Sequence, residues 1–310
     1  MFNSSLTRGP LPSFDQFIAK KFMHYVGQII RPPSEAHSII LQVTVGCSHN
    51  KCTFCGAYKE KRFAIKDDAI VQEDLDFAAQ YCQRQNKVFL ADGDALIIPF
   101  DRLKRIFSDI RQKLPWVNRI SLYGSARSIR SKSVAQLIEL KQLGLDRVYL
   151  GLESGKDEVL CLVKKGETAK SMIEASEKIR EAGLFLSVMV ILGLAGPGLS
   201  NQHAIETAQV LNMMQPKRVA ALTLMLLDNT ELGRLYREGD FELLEPFEML
   251  RELRLMIEHL ETPCQFFANH ASNYLPIRGR LPRDREKMLT MIDDALSGLH
   301  QLIPEGFRRL

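Results

Sequence analysis

The sequence predicts an α/β protein: an open, partial (β/α)6 TIM-like barrel with a parallel sheet and a helical C-terminal extension. Short runs rich in Val, Ile and Leu recur along the chain, as expected for strands that are buried on both faces of a parallel sheet. Longer segments with apolar residues at helical spacing separate these runs, and Gly144 and Gly183 each follow such a segment. Six units in series are fewer than the eight of a closed TIM barrel, so the sheet should remain open.

The barrel is predicted over residues 38–227, after an N-terminal extension of residues 1–37 in which a short helix is expected over 14–25. The apolar runs predict strands over residues 39–45, 87–91, 119–123, 147–151, 185–191 and 219–224. Amphipathic spacing predicts the intervening helices over residues 68–84, 100–113, 133–142, 169–182 and 201–213. Each helix would return the chain across the outside of the sheet, which makes neighbouring strands parallel.

The last part of the chain, residues 228–310, is predicted to be a mostly helical extension on the substrate side of the barrel. Amphipathic patterns predict two long helices, over residues 246–261 and 282–302. The text between them, "FFANHASNYLPIRGRLPRDREK", contains many turn-forming and charged residues and predicts a loop.

Composition restricts the class of protein. The 310 residues are 45% hydrophobic and 25% charged, and the net charge of +4 does not by itself require a nucleic-acid partner. The longest apolar run, residues 184–195, is too short to span a bilayer, and no secretory signal is visible. Three cysteines are scattered and three are clustered, unlike the disulfide framework of a secreted protein. We therefore expect a cytoplasmic protein with no membrane partner.

The clustered cysteines, Cys47, Cys52 and Cys55, form a C-x4-C-x2-C pattern in the stretch "GCSHNKCTFC" directly after the first predicted strand. In parallel βα folds, active sites form at this end of the strands. Thiolates bind zinc or iron–sulfur clusters, but a structural zinc site needs four ligands, and His49 is too near Cys47 in sequence to complete a tetrahedron. A [4Fe–4S] cluster held by three cysteines leaves one iron open to a ligand. A zinc-binding module without enzymatic activity remains the alternative.

The cysteine loop, the aromatic Phe54 before its last cysteine, and the partial barrel over about residues 38–225 together resemble the radical S-adenosylmethionine (SAM) superfamily. The usual loop there is C-x3-C-x2-C, so this chain has one extra residue between the first two cysteines. The resemblance implies a [4Fe–4S] cluster that binds SAM and, once reduced by a flavodoxin- or ferredoxin-like donor, cleaves it. The resulting 5′-deoxyadenosyl radical would abstract hydrogen from an unidentified substrate. Tyr58, just past the loop, would shield the cluster.

The resemblance also implies SAM-binding residues at the ends of four later strands. They are Gly93 and Asp94 for the amino group, Arg127 for the carboxylate with Ser125 beside it, Glu153 for the ribose or amino acid part, and Leu192 and Gly193 for adenine. Each has an ordinary alternative. The triplet "DGD" at residues 92–94 is more often a turn, Arg127 is as readily a surface residue, and Glu153 would otherwise cap the following helix.

The substrate is harder to predict. His270 and Asn273 belong to a dense polar stretch, "NHASN", that would line a substrate pocket or else form a turn. The basic stretch "RGRLPRDREK", residues 278–287, would contact RNA phosphates or else be a solvated helix start. We therefore retain two substrate classes, a small molecule and an RNA such as tRNA.

Overall fold

The computed structural model describes residues 22–309 and is organised by one open sheet of eight strands. Neighbours along the sheet are parallel from the first strand to the seventh, and the last strand is antiparallel. The six predicted strands and their parallel order are therefore confirmed. In sheet order the strands are β1 (Ile39–Gln42), β4 (Lys87–Ala91), β5 (Arg119–Tyr123), β6 (Leu145–Glu153), β7 (Phe185–Leu192), β8 (Arg218–Thr223), β9 (Cys264–Ala268) and β10 (Ile277–Leu281). A small antiparallel pair consists of β2 (Thr44–Val45) and β3 (Ala64–Ile65).

Helices connect the parallel strands, as predicted. Three short ones, Ala126–Arg130, Asp157–Leu162 and Glu231–Glu238, were not expected from the sequence. The helices are α1 (Asp68–Tyr81), α2 (Phe100–Lys113), α3 (Ala126–Arg130), α4 (Val134–Gln142), α5 (Asp157–Leu162), α6 (Ala169–Glu181), α7 (Ser200–Met214), α8 (Glu231–Glu238), α9 (Pro246–His259) and α10 (Arg285–Leu296). None of the helices in residues 22–309 is long and apolar enough to cross a membrane.

Local sequence signals set several helix ends. Helix α4 begins with a capping box in which the Ser133 side chain and Gln136 satisfy each other's backbone N–H groups. Thr168 and Ser171 make the same arrangement at the start of α6. Gly183 follows α6 with φ of +66°, the left-handed conformation that glycine adopts without strain. These signals place the helices that return the chain to the sheet.

The two faces of the sheet have different roles. On the outer face, side chains such as Val88, Leu122 and Val148 are fully buried against the helices. On the inner face lie Phe89, Tyr123 and Tyr149, whose rings pack at centroid distances of 5.2 to 6.1 Å. Because strand side chains alternate between faces, the inner residues enclose a barrel interior that is separate from the main core.

The prediction of a loop over residues 266–287 is wrong, because this segment contributes to β9 and contains β10. In β9, Cys264, Phe266 and Ala268 alternate as buried residues, and β9 pairs in parallel with β8. In β10, Ile277 and Leu281 are buried. Both strands are short, the arginines of β10 alternate with its buried residues, and Asn, Gly and Pro around the two strands dominated the pattern. The division between barrel and extension at residue 228 remains a prediction.

The segment before β1 lies along the barrel. The Tyr25 hydroxyl donates to the Ile40 carbonyl at 2.8 Å, and the backbone N–H of Val26 donates to the Gln42 side chain at 2.8 Å. The Ser34 hydroxyl bonds the Tyr149 hydroxyl at 2.7 Å, and the Glu35 carboxylate is completely buried. The helix predicted over residues 14–25 lies mainly outside the described residues.

Candidate active site at the mouth of the barrel

The cysteine loop, residues 46–55, follows β2 at the carboxyl end of the sheet. Cys47, Cys52 and Cys55 are all free and partly exposed. The loop is held by backbone hydrogen bonds on both sides, because the N–H of Thr53 donates to the Val163 carbonyl at 3.0 Å and the N–H of Leu232 donates to the Thr53 carbonyl at 2.9 Å. The structure therefore places the three thiols where the sequence predicted them.

Asp92, just after β4, fixes the cysteine loop to the sheet. Its carboxylate is fully buried and accepts hydrogen bonds from the Gly46 backbone N–H at 3.2 Å and from the Gln42 amide at 3.1 Å. It also forms an ion pair with Lys61 at 3.1 Å. The sequence analysis missed this role, although Asp92 directly precedes the predicted SAM residue Gly93.

The predicted residues Gly93, Asp94 and Ser125 lie together beside the cysteine loop. A Cβ on Gly93 would stand 2.8 Å from the Tyr58 ring and 3.1 Å from Cys47 Cβ, so only glycine allows this approach. Asp94 is buried and accepts from the Ser48 hydroxyl at 2.7 Å and the Ser125 hydroxyl at 2.9 Å. Its carboxylate therefore joins three loops, and a SAM contact from this position remains a prediction.

Arg127 lies apart from this group. It is an exposed residue on α3, and its backbone N–H donates to Glu167 at 2.8 Å. The structure thus brings Gly93, Asp94 and Ser125 together. It leaves Arg127 at the surface, which agrees with the alternative interpretation of that residue.

Glu153 ends β6 in a strained conformation, with φ of +65° beside an irregularity in the strand register. Its carboxylate forms an ion pair with Lys165 at 2.9 Å, and both side chains are largely buried, at 12% and 16% exposed. The following helix is not capped by Glu153: the Ser154 hydroxyl accepts from the Lys156 N–H at 3.0 Å. Strained non-glycine residues gather at functional sites, which favours the ligand role over the capping alternative. Lys165 carried no sequence signal.

Replacing Glu153 with glutamine is expected to leave the iron content unchanged and to weaken SAM binding by about tenfold, the size of one lost charge-assisted hydrogen bond. Equilibrium dialysis of the reconstituted protein with labelled SAM measures this. Lys165→Met is the control for a purely structural ion pair: equal losses in the two variants would mean that Glu153 acts only through Lys165.

The loop after β7 is tied to the C-terminal part of the chain. Gly193 has φ of +79°, and its N–H donates to the Glu252 carboxylate at 2.7 Å. Glu252 also accepts from the Ser200 hydroxyl and lies 3.6 Å from His203, and burial raises the pKa of Glu252. Leu192, next to Gly193, is buried at the end of the strand. The network thus sets the path of the backbone predicted to pack on adenine.

A cavity of about 1120 Å³ lies inside the barrel and reaches the cysteine loop. At the mouth it is lined by Phe54 and Cys55, and further in by inner-face residues such as Tyr149 and Met189. Residues in the range 26–34, which precede β1, form one side of the cavity. The Cys55 thiol, part of the predicted cluster site, therefore opens into the same cavity as the barrel interior.

His270 and Asn273, the predicted substrate residues, differ in position. His270 lines the cavity, whereas Asn273 is buried and uses its amide to accept from the Thr223 hydroxyl at 2.9 Å and to donate to the Ala221 carbonyl at 3.0 Å. The Nδ1 atom of His270 accepts from the Ser272 N–H at 3.1 Å, which assigns the ring proton of the neutral form to Nε2. Contact of either residue with a substrate remains a prediction.

Acid conditions should destabilise the protein through His270. Burial lowers the pKa of His270 below its usual 6.5, so the neutral form is favoured in the folded state. The resulting stability is present above pH 6.5 and is lost as the pH falls through the lower folded value. Denaturation midpoints of the wild type should therefore fall more steeply than those of His270→Gln below pH 6.5. Parallel curves would contradict this assignment.

Three cysteine thiols in one partly exposed loop are the donor set that a [4Fe–4S] cluster with one open iron takes, since each thiolate binds a separate iron. Among residues 22–309, no group of three His, Cys, Asp or Glu side chains is arranged to hold a single metal ion. Burial raises the pKa of Cys52 to about 11, against the opposing charge of Lys165, so a bound metal would supply the stabilisation that its thiolate lacks. Cys47, Cys52 and Cys55 are the residues that would hold it.

Comparison with models of known protein families identifies the family of this chain. The family model described as the radical SAM superfamily matches residues 41–211, more than half of the chain. The chain belongs to the radical SAM superfamily. The matched region begins in β1, contains the whole cysteine loop and ends in α7. The predictions of a radical SAM enzyme, of a [4Fe–4S] cluster and of SAM as cofactors are confirmed by this membership.

Individual relatives are distant. An uncharacterised protein of Methanocaldococcus jannaschii is 22% identical over 234 residues, which are 72% of this chain and 71% of that protein. A tRNA uridine(34) acetyltransferase of Methanocaldococcus infernus is 25% identical over 111 residues, 36% of this chain and 21% of the acetyltransferase. The solved structure of the radical SAM methyltransferase TsrM from Kitasatospora setae has a TM-score of 0.53 at 18% identity, over 64% of this chain and 39% of TsrM. This radical SAM chain therefore spans less than half of the acetyltransferase and of TsrM.

Proposed function

We propose that this protein is a radical SAM enzyme whose substrate is a small molecule bound inside the barrel. The observation that carries the proposal is the cavity of about 1120 Å³ that begins at Cys55 and extends along the inner face of the sheet. Ligand pockets usually measure about 300–1,000 Å³, so this space suits SAM together with a second small molecule.

The residues at the mouth of the barrel have separate roles in this proposal. Cys47, Cys52 and Cys55 hold the cluster, and Gly93 and Glu153 lie where SAM would sit against them. When bound and reduced, the cluster supplies the electron that splits SAM into methionine and the 5′-deoxyadenosyl radical that abstracts hydrogen. A flavodoxin- or ferredoxin-like protein is the electron donor that we propose.

Part of the cavity wall is apolar, which suits radical chemistry. The inner-face residues Met189, Ile191 and Leu222 present apolar surface to the cavity, and Phe54 and Phe267 add aromatic surface on two further sides. A dry, shaped interior limits side reactions of a reactive intermediate. These residues would orient the substrate rather than exchange protons with it.

The decisive experiment is anaerobic. The protein is reconstituted with iron and sulfide, then given dithionite and SAM, and 5′-deoxyadenosine and methionine are separated by chromatography. We expect both products from the wild type and neither from the triple Cys→Ala variant at positions 47, 52 and 55. A colourless wild type that binds zinc and forms neither product would contradict the proposal.

An RNA substrate is the second candidate. One relative is named as a tRNA acetyltransferase, and the exposed arginines Arg278 and Arg280 lie on β10. Their neighbour Arg283 pairs with Asp284 at 2.7 Å, which reduces the free positive charge of the segment. Stimulation of 5′-deoxyadenosine formation by total tRNA, with loss at high salt, would favour RNA. Stimulation by a low-molecular-weight extract alone would favour the small molecule.

A further inference from the structure

Three arginines lie at the beginning of the barrel strands, at the end opposite to the cysteine loop. Arg119 and Arg218 are the first residues of β5 and β8, and Arg147 is the third residue of β6. Arg147 alternates with the cavity residue Tyr149, and Arg218 itself lines the cavity. These three residues mark the amino-terminal end of the barrel strands, which we call the barrel floor.

The guanidinium groups of the barrel floor share one aromatic ring. Arg147 Cζ lies 4.0 Å from the centre of the Phe185 ring, and Arg218 Cζ lies 5.6 Å from it. Arg218 also lies 5.0 Å from the centre of the Phe267 ring, a residue of the cavity wall. Cation–π contacts hold the two like charges near each other without neutralising either of them.

One carboxylate faces these cations, and it is already engaged. Glu35 is fully buried and accepts from Arg119 at 2.9 Å, from the Tyr149 hydroxyl at 2.6 Å and from the Ser38 hydroxyl at 2.6 Å. Three guanidinium groups against one carboxylate leave the barrel floor with an excess of positive charge. Burial first, and then the charges of Arg147 and Arg119, lower the pKa of Arg218, and the Glu35 carboxylate opposes this shift only in part.

Arg147 and Arg218 lack anionic partners within residues 22–309. Arg147 is 8% exposed, and its buried Nε has no hydrogen-bond acceptor. Arg218 donates from Nε and Nη2 to the same Gln265 oxygen, at 3.2 and 2.8 Å, which leaves Nη1 without a described protein acceptor. Arg147 is a buried guanidinium, which is costly unless it is paired, and the half-buried Arg218 lines the cavity beside it. A ligand anion is the partner that these two groups fit.

We propose that the barrel floor binds an anionic oxygen group of the substrate, a carboxylate or a phosphate, with Arg218 as the direct donor. This inference rests on the proposed function and adds a substrate class to it. Six residues separate Arg147 from Glu153 along β6, a distance of about 20 Å at ~3.3 Å per residue. The substrate is therefore elongated: its acidic end is held at the floor, and its reacting carbon lies nearer the mouth. Arg31, which also lines the cavity, adds positive charge.

The test uses the reconstituted protein with SAM present, titrated calorimetrically with inorganic phosphate and, separately, with glutarate. We expect the wild type to bind at least one of the two probes and Arg218→Gln to bind it about tenfold more weakly, the loss of a hydrogen bond to a charged group. Arg218→Lys should retain part of the affinity. Arg84→Gln, at an exposed arginine outside the barrel, is the matched control and should bind like the wild type. Preference for phosphate or for glutarate identifies which anion the floor takes.

Two outcomes would overturn the inference: equal affinity of the wild type and Arg218→Gln for both probes, or no binding of either probe to the wild type. If Arg218→Gln does not fold, the comparison of Arg218→Lys with the wild type decides in the same way. Formation of 5′-deoxyadenosine without substrate is measured on the same samples. Its absence from the wild type would count against the proposed function, whereas normal formation combined with unchanged anion binding would count against the barrel floor alone.

Discussion

Replacing Cys52 with serine is expected to abolish the iron–sulfur cluster and with it the formation of 5′-deoxyadenosine. Cys47, Cys52 and Cys55 are the whole thiol set of the mouth, so no other cysteine of residues 22–309 can replace a missing ligand there. Changes that only surround a metal ligand already cost about 10–100-fold in affinity or activity, so loss of a ligand should cost more than about 100-fold. Iron and sulfide assays on anaerobically purified protein, with the product assay, measure both effects.

Cys161→Ser provides the matched control. Cys161 is an exposed residue of α5, outside the cysteine loop, and its replacement should leave the iron content and the product yield unchanged. Circular dichroism should show a folded barrel for both variants, because the loop is held by backbone hydrogen bonds and not by its sulfur atoms. A Cys52→Ser protein with full iron content would remove Cys52 from the ligand set.

Replacing Asp92 with alanine should destabilise the protein by about 3–5 kcal/mol, because it leaves the Lys61 ammonium largely buried without its partner. The Gly46 backbone N–H and the Gln42 amide would lose the same carboxylate. The urea midpoint should therefore fall, and the cysteine loop should lose iron faster on dilution into a chelator. Asp92→Asn should show a smaller loss, since an amide oxygen can still accept from Gly46.

An exposed ion pair provides the comparison for Asp92. Asp228 contacts Arg237 at 2.9 Å, yet the Asp228 side chain is completely exposed. Asp228→Ala should leave the urea midpoint close to that of the wild type, because water screens such pairs. If Asp92→Ala unfolds at the wild-type urea concentration, the carboxylate does not hold the loop to the sheet.

The sequence was most informative where strands are buried on both faces. Runs such as residues 185–191 are continuously apolar because helices cover one face and the barrel interior the other. The cysteine loop was located correctly because its pattern depends on neighbours within nine residues. Gly93 was singled out by its position after a strand, and its SAM contact stays a prediction. Its close approach to Tyr58 and Cys47 gives the physical reason for glycine there.

The contacts that could not be predicted from the sequence join residues far apart in the chain. Lys61 and Asp92 are separated by 31 residues, and Gly193 and Glu252 by 59, so no local spacing relates them. The arginines of the barrel floor look like ordinary charges at strand starts until the sheet curves and brings them together with Glu35. The strand β9 was missed because turn-forming residues follow it directly, and β10 was missed because its arginines alternate with buried residues.

The direction of β10 limits how this chain can assemble. As an antiparallel edge strand it presents backbone groups that another sheet would otherwise join. Part of that edge is already occupied, because the backbone N–H of Arg280 donates to the Asp284 carboxylate at 2.8 Å and the Arg280 carbonyl accepts from the Asp284 N–H at 2.8 Å. The exposed side chains of Arg278 and Arg280 add like charges to the strand. A second sheet that approached β10 would therefore meet fewer free backbone groups and a positive charge.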